Sequence, residues 1–214
     1  MQKASKKDLI DFELEIYQLF EDGKLPCLIH LCGGNEDQLI NLFDKINDDD
    51  WVFSTHRTHY HYLLKGGTKE ALLDKIKNGN SMFVFDRKLK FFSSSILAGN
   101  SCIAAGVALA IKKKALPNHV WCFIGDGAED EGHFYEAVRF CHGHNLPCTF
   151  IIEDNNRSVD TDKATRRGIT DWQWPSNVIK YEYVATYPHA STGSGKMVKF
   201  DPTIVSKYLN GEKI

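Results

Sequence analysis

The stretch HVWCFIGDGAEDEGHFYEAVRFCHGHNLPCTFIIEDNN, residues 119–156, decides the fold. HVWCFI, 119–124, is apolar throughout and of strand length, and it runs into Gly125-Asp126-Gly127. A helix is predicted over Glu129–Asn145 and is broken by Leu146-Pro147. A second apolar strand, Cys148–Ile152, then ends in Glu153-Asp154-Asn155-Asn156. Near-continuous apolar strands alternating with helices predict an α/β fold with a parallel sheet covered by helices on both faces.

Working outward, residues 5–22 place Leu9, Phe12, Ile16, Leu19 and Phe20 at helical spacing, with Asp22-Gly23 as the stop. Pro26–Leu31 reads as a strand or a tight core segment. Asn35–Asn47 reads as an amphipathic helix opened by an Asn cap. A strand is expected at Trp51–Thr55, and a helix at Thr68–Lys77 capped by Thr68. ILAGNSCIAAGVALAIKKK, 96–114, is rich in small residues and apolar nearly all round, which predicts a buried helix. Val178–Thr186 alternates as a further strand, and 191–195 is a Gly/Ser loop. The organisation expected is a helical arm over residues 1–50 and a sheet domain over 51–214.

Composition narrows the function classes. Of 214 residues, 43% are hydrophobic and 25% charged, and the net charge is −2. No basic footprint for nucleic acid or an anionic membrane is present. No apolar run nears the roughly 20 residues of a membrane span. Asp8, Asp11, Glu13 and Glu15 interrupt any signal-peptide core. The six cysteines form no CxxC pair. They read as reduced structural thiols of a cytoplasmic protein, not as a zinc site.

In an open parallel sheet, ligands bind beyond the carboxyl ends of the strands. Asp126 and Asn155 emerge there together, joined by one crossover helix. A carboxylate and an amide oxygen at such an edge suit Mg²⁺, which is usually held by one or two carboxylates plus phosphate oxygens. Gly125 and Gly127 let a diphosphate approach the backbone, and a helix starting near Ala128 would point free N–H groups at it. Alone, GDG is equally a tight turn with an Asp cap; the Asn155 spacing adds the specificity.

GDGAEDEGHFYEAVRFCHGHNLPCTFIIEDNN closely resembles the thiamine-diphosphate (ThDP) motif, which opens with GDG and closes with an Asn pair. Glu131-Gly132, Glu136-Ala137 and Leu146-Pro147 resemble the alpha subunit of the E1 component of pyruvate, branched-chain and acetoin dehydrogenases; EDNNRSVDT, 153–161, also resembles transketolase. The resemblance implies metal ligands at Asp126, Asn155 and the backbone carbonyl of Arg157, with Asn156 only completing the visible pair. STHRTHYHYLLKGG, 54–67, resembles the acetoin-type segment most closely. It implies Arg57 as a diphosphate ligand, His56 beside it, and His59 and His61 as active-site histidines. Arg suits phosphate through its paired donors, and the two histidines would share one side of an extended segment. Without the resemblance they read as surface histidines.

Residues 78–110 resemble the family's approach to its buried helix, implying Ser95 and Leu97 against the aminopyrimidine. Leu97 alone would read as a core leucine at a helix start. VIKYEYVATYPHASTG, 178–193, resembles the strand before a histidine-bearing loop, implying His189 as catalytic. The match is carried by residues 51–160; from Thr161 to Val178 the chain is shorter than the family pattern.

The resemblance therefore implies the diphosphate-binding domain of a ThDP- and Mg²⁺-dependent enzyme acting on a 2-oxo acid or related small carbonyl substrate. It implies a beta-type partner carrying the pyrimidine-binding domain and its catalytic Glu, in an α2β2 assembly. Alternatives are a split transketolase-like or carboligase subunit, a non-catalytic ThDP-binding module, and an unrelated α/β phosphate binder. The last leaves the Asn155 spacing and the His-rich segment unexplained.

Overall fold

In the computed structural model the described residues are 4–159, 161–168, 172–186 and 202–212. The chain divides into two compact units, one of residues 1–45, 56–84 and 185–214, the other of 46–55 and 85–184. This division runs differently from the boundary expected at residue 50, because 56–84 groups with the helices.

The helical unit opens with α1 (Lys6–Glu21), started by a reciprocal capping box between Ser5 and Asp8. Its apolar stripe, Leu9, Phe12, Ile16 and Phe20, is buried. Helix α2 (Glu36–Phe43) is shorter than expected, and the Asn35 side chain at its cap position does not make the capping hydrogen bond. Pro26–Leu31 forms no regular strand; Ile29 and Leu31 are instead buried core residues. Helix α3 (His59–Leu64) and helix α4 (Lys69–Lys77) follow, α4 capped by the Thr68 hydroxyl accepting from the Ala71 N–H. The extended segment expected around His59 and His61 is thus corrected to a helical turn. Six buried residues in a row, His59 to Leu64, suit a helix enclosed on all sides. Residues Pro202–Leu209 form a last helix.

The sheet unit contains β1 (Trp51–Ser54), β2 (Phe85–Asp86), β3 (Phe91–Ser93), helix α5 (Gly99–Lys113) and β4 (Val120–Gly125). It continues with α6 (Gly132–Gly143), β5 (Cys148–Asp154), α7 (Lys163–Arg167) and β6 (Val178–Glu182). The strands lie in the order β2-β3-β1-β4-β5-β6, all parallel except the β2–β3 pair. This is the α/β, mostly parallel sheet that the apolar strands predict. Phe53, Val120, Cys122, Ile124, Phe150 and Ile152 belong to one core cluster with residues of α5 and α6. The alternate set, Val52, Phe123 and Ile151, is buried too, so β1, β4 and β5 bury apolar residues on both faces.

Three expectations shift. Helix α5 begins at Gly99, because Ala98 takes a left-handed conformation at φ 52. Its apolar composition does not bury it all round: Ala104, Ala105, Ala108 and Ile111 are buried, but Ile103 is 48% exposed. One side of the helix packs inward and the other is left open in the single chain. The strands β2 and β3 were not expected, since two and three residues are too few to show a period of two. Among the described residues, no helix is long and apolar enough to cross a membrane.

Candidate functional site

The ladder between β4 and β5 pairs Ile124 with Ile152 and Gly125 with Glu153. Asp126 and Asn155 therefore leave adjacent parallel strands at the same sheet edge. Asp126 is buried, at 1% exposure. Asn155 makes a tight turn in which its Oδ1 accepts from the Arg157 N–H at 3.0 Å. The turn is sustained by Asn156 at φ 59, and the Asn156 N–H donates to Asp154.

The two glycines differ. A Cβ on Gly125 would meet nothing within 4 Å, so open space lies against the strand tip. A Cβ on Gly127 would sit 2.4 Å from the Ser158 Oγ, so Gly127 is required for the β5 turn to close down on the β4 turn. The helix expected near Ala128 is corrected: Ala128–Asp130 is a single 3₁₀ turn, and α6 starts only at Gly132. Glu131 breaks the run with an extended backbone at ψ 129, so the N–H groups at Ala128 are those of a short turn, not of a long helix.

Charge is concentrated at this edge. Arg166 Nη2 lies 2.6 Å from Asp126 Oδ2, and Arg166 also donates to the Asp126 carbonyl and to Asp130. Arg167 bridges Glu129 and Asp130. Lys163 pairs with Asp154, which Lys180 also reaches at 3.3 Å. Burial and then the Asp154 charge push the Asp126 carboxyl up to about 6, against the pull of Arg166. Burial also opposes ionisation of Asp154, but Lys163, the Asn156 N–H and Lys180 outweigh it and hold that carboxyl below the usual range. Glu129 is likewise lowered, with burial overcome by Lys180, Trp174 and Arg167.

This donor set fits a magnesium diphosphate: a buried carboxylate, an amide oxygen on the next strand tip, and room against Gly125. Among the described residues no three His, Cys, Asp or Glu side chains form a metal cluster.

Ser95 and Leu97 follow the carboxyl end of β3, which is parallel to β1 as β1 is to β4, so they join the same edge. Both are exposed, and the Leu97 carbonyl lies 3.1 Å from His133 Nε2. His56, Arg57, His59 and His61 belong to the helical unit. Arg57 donates to the Leu31 carbonyl, and His56 stands edge-on to His30 at 4.7 Å. His59 and His61 are buried, at 0% and 1% exposure. Two positions apart on a helix, they diverge by about 200°. His59 Nδ1 meets Glu13 at 2.9 Å and its Nε2 meets Ser81 at 3.1 Å, while His61 stacks on Phe43. His189 lies outside the described residues.

Arg166, Lys163, Asp154 and Glu129 were not foreseen at this edge. The available signal was Asp162 capping a run with three cations, Lys163, Arg166 and Arg167, spaced three and four apart along one helical turn.

The model of the dehydrogenase E1 component family matches residues 5–173. The chain is 33% identical over 154 residues to the alpha subunit of the acetoin:2,6-dichlorophenolindophenol oxidoreductase of Bacillus subtilis, covering 67% of this chain and 46% of the relative. To the alpha subunit of the same name from Cupriavidus necator it is 31% identical, covering 72% and 49%. To the pyruvate dehydrogenase E1 component subunit alpha of Rickettsia bellii it is 30% identical, covering 72% and 50%. The chain spans about half the length of these curated relatives.

Proposed function

Because the chain belongs to the dehydrogenase E1 component family, we propose that it is an alpha-type subunit that binds thiamine diphosphate and Mg²⁺. The observation that carries this is the register of β4 on β5, which sets Asp126 and Asn155 on neighbouring strand tips. Asp126, Asn155 and the Arg157 carbonyl would hold the metal. The open side of Gly125 admits the diphosphate, and Arg57 is assigned to the same anion with His56. Ser95 and Leu97 are assigned to the aminopyrimidine.

Bound thiamine diphosphate supplies a carbon nucleophile and an electron sink for a carbonyl substrate. The chain's own part is to grip, orient and move protons. His59 is held at both ring nitrogens, by Glu13 at Nδ1 and by Ser81 at Nε2, which fixes the orientation of its imidazole. His61 and His189 complete the histidine set that the resemblance assigns.

The reaction is E1-like, decarboxylation with acyl transfer, on a 2-oxo acid or a related carbonyl substrate, in the cytoplasm. A beta-type partner supplies the pyrimidine-binding domain and its glutamate, in an α2β2 assembly. The names of the relatives, which are alpha subunits, support a two-chain enzyme. Affinity purification from the native host tests it. A beta-type chain should co-purify, and decarboxylation should need both chains. Full turnover by this chain alone would overturn the two-subunit reading.

A further inference from the structure

Helix α7 carries three cations, and all three meet the acidic edge. Lys163 meets Asp154, Arg166 meets Asp126 and Asp130, and Arg167 meets Glu129 and Asp130. The Arg166 side chain is 13% exposed, and its guanidinium is bonded to both the carboxylate and the carbonyl of Asp126. The guanidinium already pairs with the Asp126 carboxylate, so a metal held by that carboxylate would compete with it for the same negative charge. The connection from Asn155 to α7 is itself strained. Val159, β-branched and 82% exposed, is held at φ 55, a backbone state costly for that side chain. Asn156 at φ 59 precedes it, and a small bridge between Ser158 and Thr161 ties the turn.

We propose that α7 is a cationic clasp: Arg166 neutralises Asp126 while no metal is bound, and Mg²⁺ must displace it to bind. The clasp keeps a buried carboxylate paired until a metal takes it over, and the strained turn at Asn156 to Val159 is where the connection yields. This rests on the reading of the edge as a Mg²⁺-diphosphate site.

The test is Mg²⁺ titrated into the purified full chain, with any co-purifying partner, at saturating thiamine diphosphate. Binding is followed by calorimetry, and by Mn²⁺ electron paramagnetic resonance as a metal-only readout. Arg166→Ala should tighten the metal roughly five- to tenfold, the change one partly buried charge pair is worth. Arg166→Lys keeps the charge without the two-pronged grip and should fall between; it also carries the test if Arg166→Ala fails to fold. Arg167→Ala, whose side chain reaches Glu129 and Asp130 but not Asp126, should change the affinity less than twofold, about. Unchanged or weaker Mg²⁺ affinity in both Arg166 variants, with normal wild-type binding, overturns the clasp alone. Diphosphate binding that ignores Mg²⁺ and is lost in Arg166→Ala would make the arginine a permanent replacement for the metal, and also overturns it. Absence of Mg²⁺-dependent binding in the wild type would instead sink the reading of the site, and the clasp with it.

Discussion

Gly127 and Ser158 are in mutual contact so close that any side chain at 127 would collide. A Cβ there would stand 2.4 Å from the Ser158 Oγ and 2.7 Å from its Cβ. The two turns that bear Asp126 and Asn155 are thereby clamped together. Gly127→Ala should cost about 1–3 kcal/mol, the usual penalty for overpacking, in urea unfolding. Ser158→Gly in the same chain should recover most of it. A Gly127→Ala variant as stable as the wild type would show that the turns are not clamped at this point.

Buried Glu13 and His59 form a second testable pair. Glu13 is fully buried; Oε1 holds His59 at 2.9 Å, and Oε2 has no hydrogen-bond partner among the described residues. His59→Ala would leave the carboxylate with no partner on its imidazole side. The expected loss is about 3–5 kcal/mol, as for breaking a buried pair, with Glu13→Leu in the same chain restoring part of it. Chemical denaturation of the two variants gives the answer, and a loss below about 1 kcal/mol would show that the pair does not support the helical unit.

The pH dependence follows from His30. Burial, then Arg57 and His59, push its imidazole from 6.5 down to about 4. The folded chain therefore keeps it neutral where the unfolded chain would protonate it. Its contribution is fully present above pH 6.5 and is lost as pH falls toward 4, by at most about 1.4 kcal/mol per unit. Asp126, raised from 3.8 to about 6, acts in the opposite sense: the folded chain holds that proton more tightly, so stability gains as pH falls through that window. The two slopes partly cancel in the wild type. His30→Phe removes one of them, so its stability should fall less, or even rise, between pH 6.5 and 4. Parallel curves for wild type and variant would contradict the assignment.

Legibility in the sequence tracked how much each element depends on its own residues. The strands β4 and β5 are apolar on both faces, and their buried partners, Phe123 and Ile151 on one side and Cys122 and Phe150 on the other, made the parallel sheet readable. Asp126 and Asn155 were readable because strand ends fix where side chains leave the sheet. The helix α3 was not, since HYHY alternates like a strand while tertiary enclosure favours a turn of helix. Missed as well was α7, because its five residues, four of them polar, show no apolar period and are held by ion pairs that exist only once Asp126, Glu129 and Asp154 converge.

The most direct test of the site is thiamine diphosphate titrated against the wild type and Asp126→Asn, each with Mg²⁺ and with a chelator. The expected result is saturable binding by the wild type that needs Mg²⁺ and weakens at least about 100-fold in Asp126→Asn, on the order of the loss when an outer-shell partner alone is removed. Equal affinity with and without Mg²⁺, or in both proteins, would contradict it.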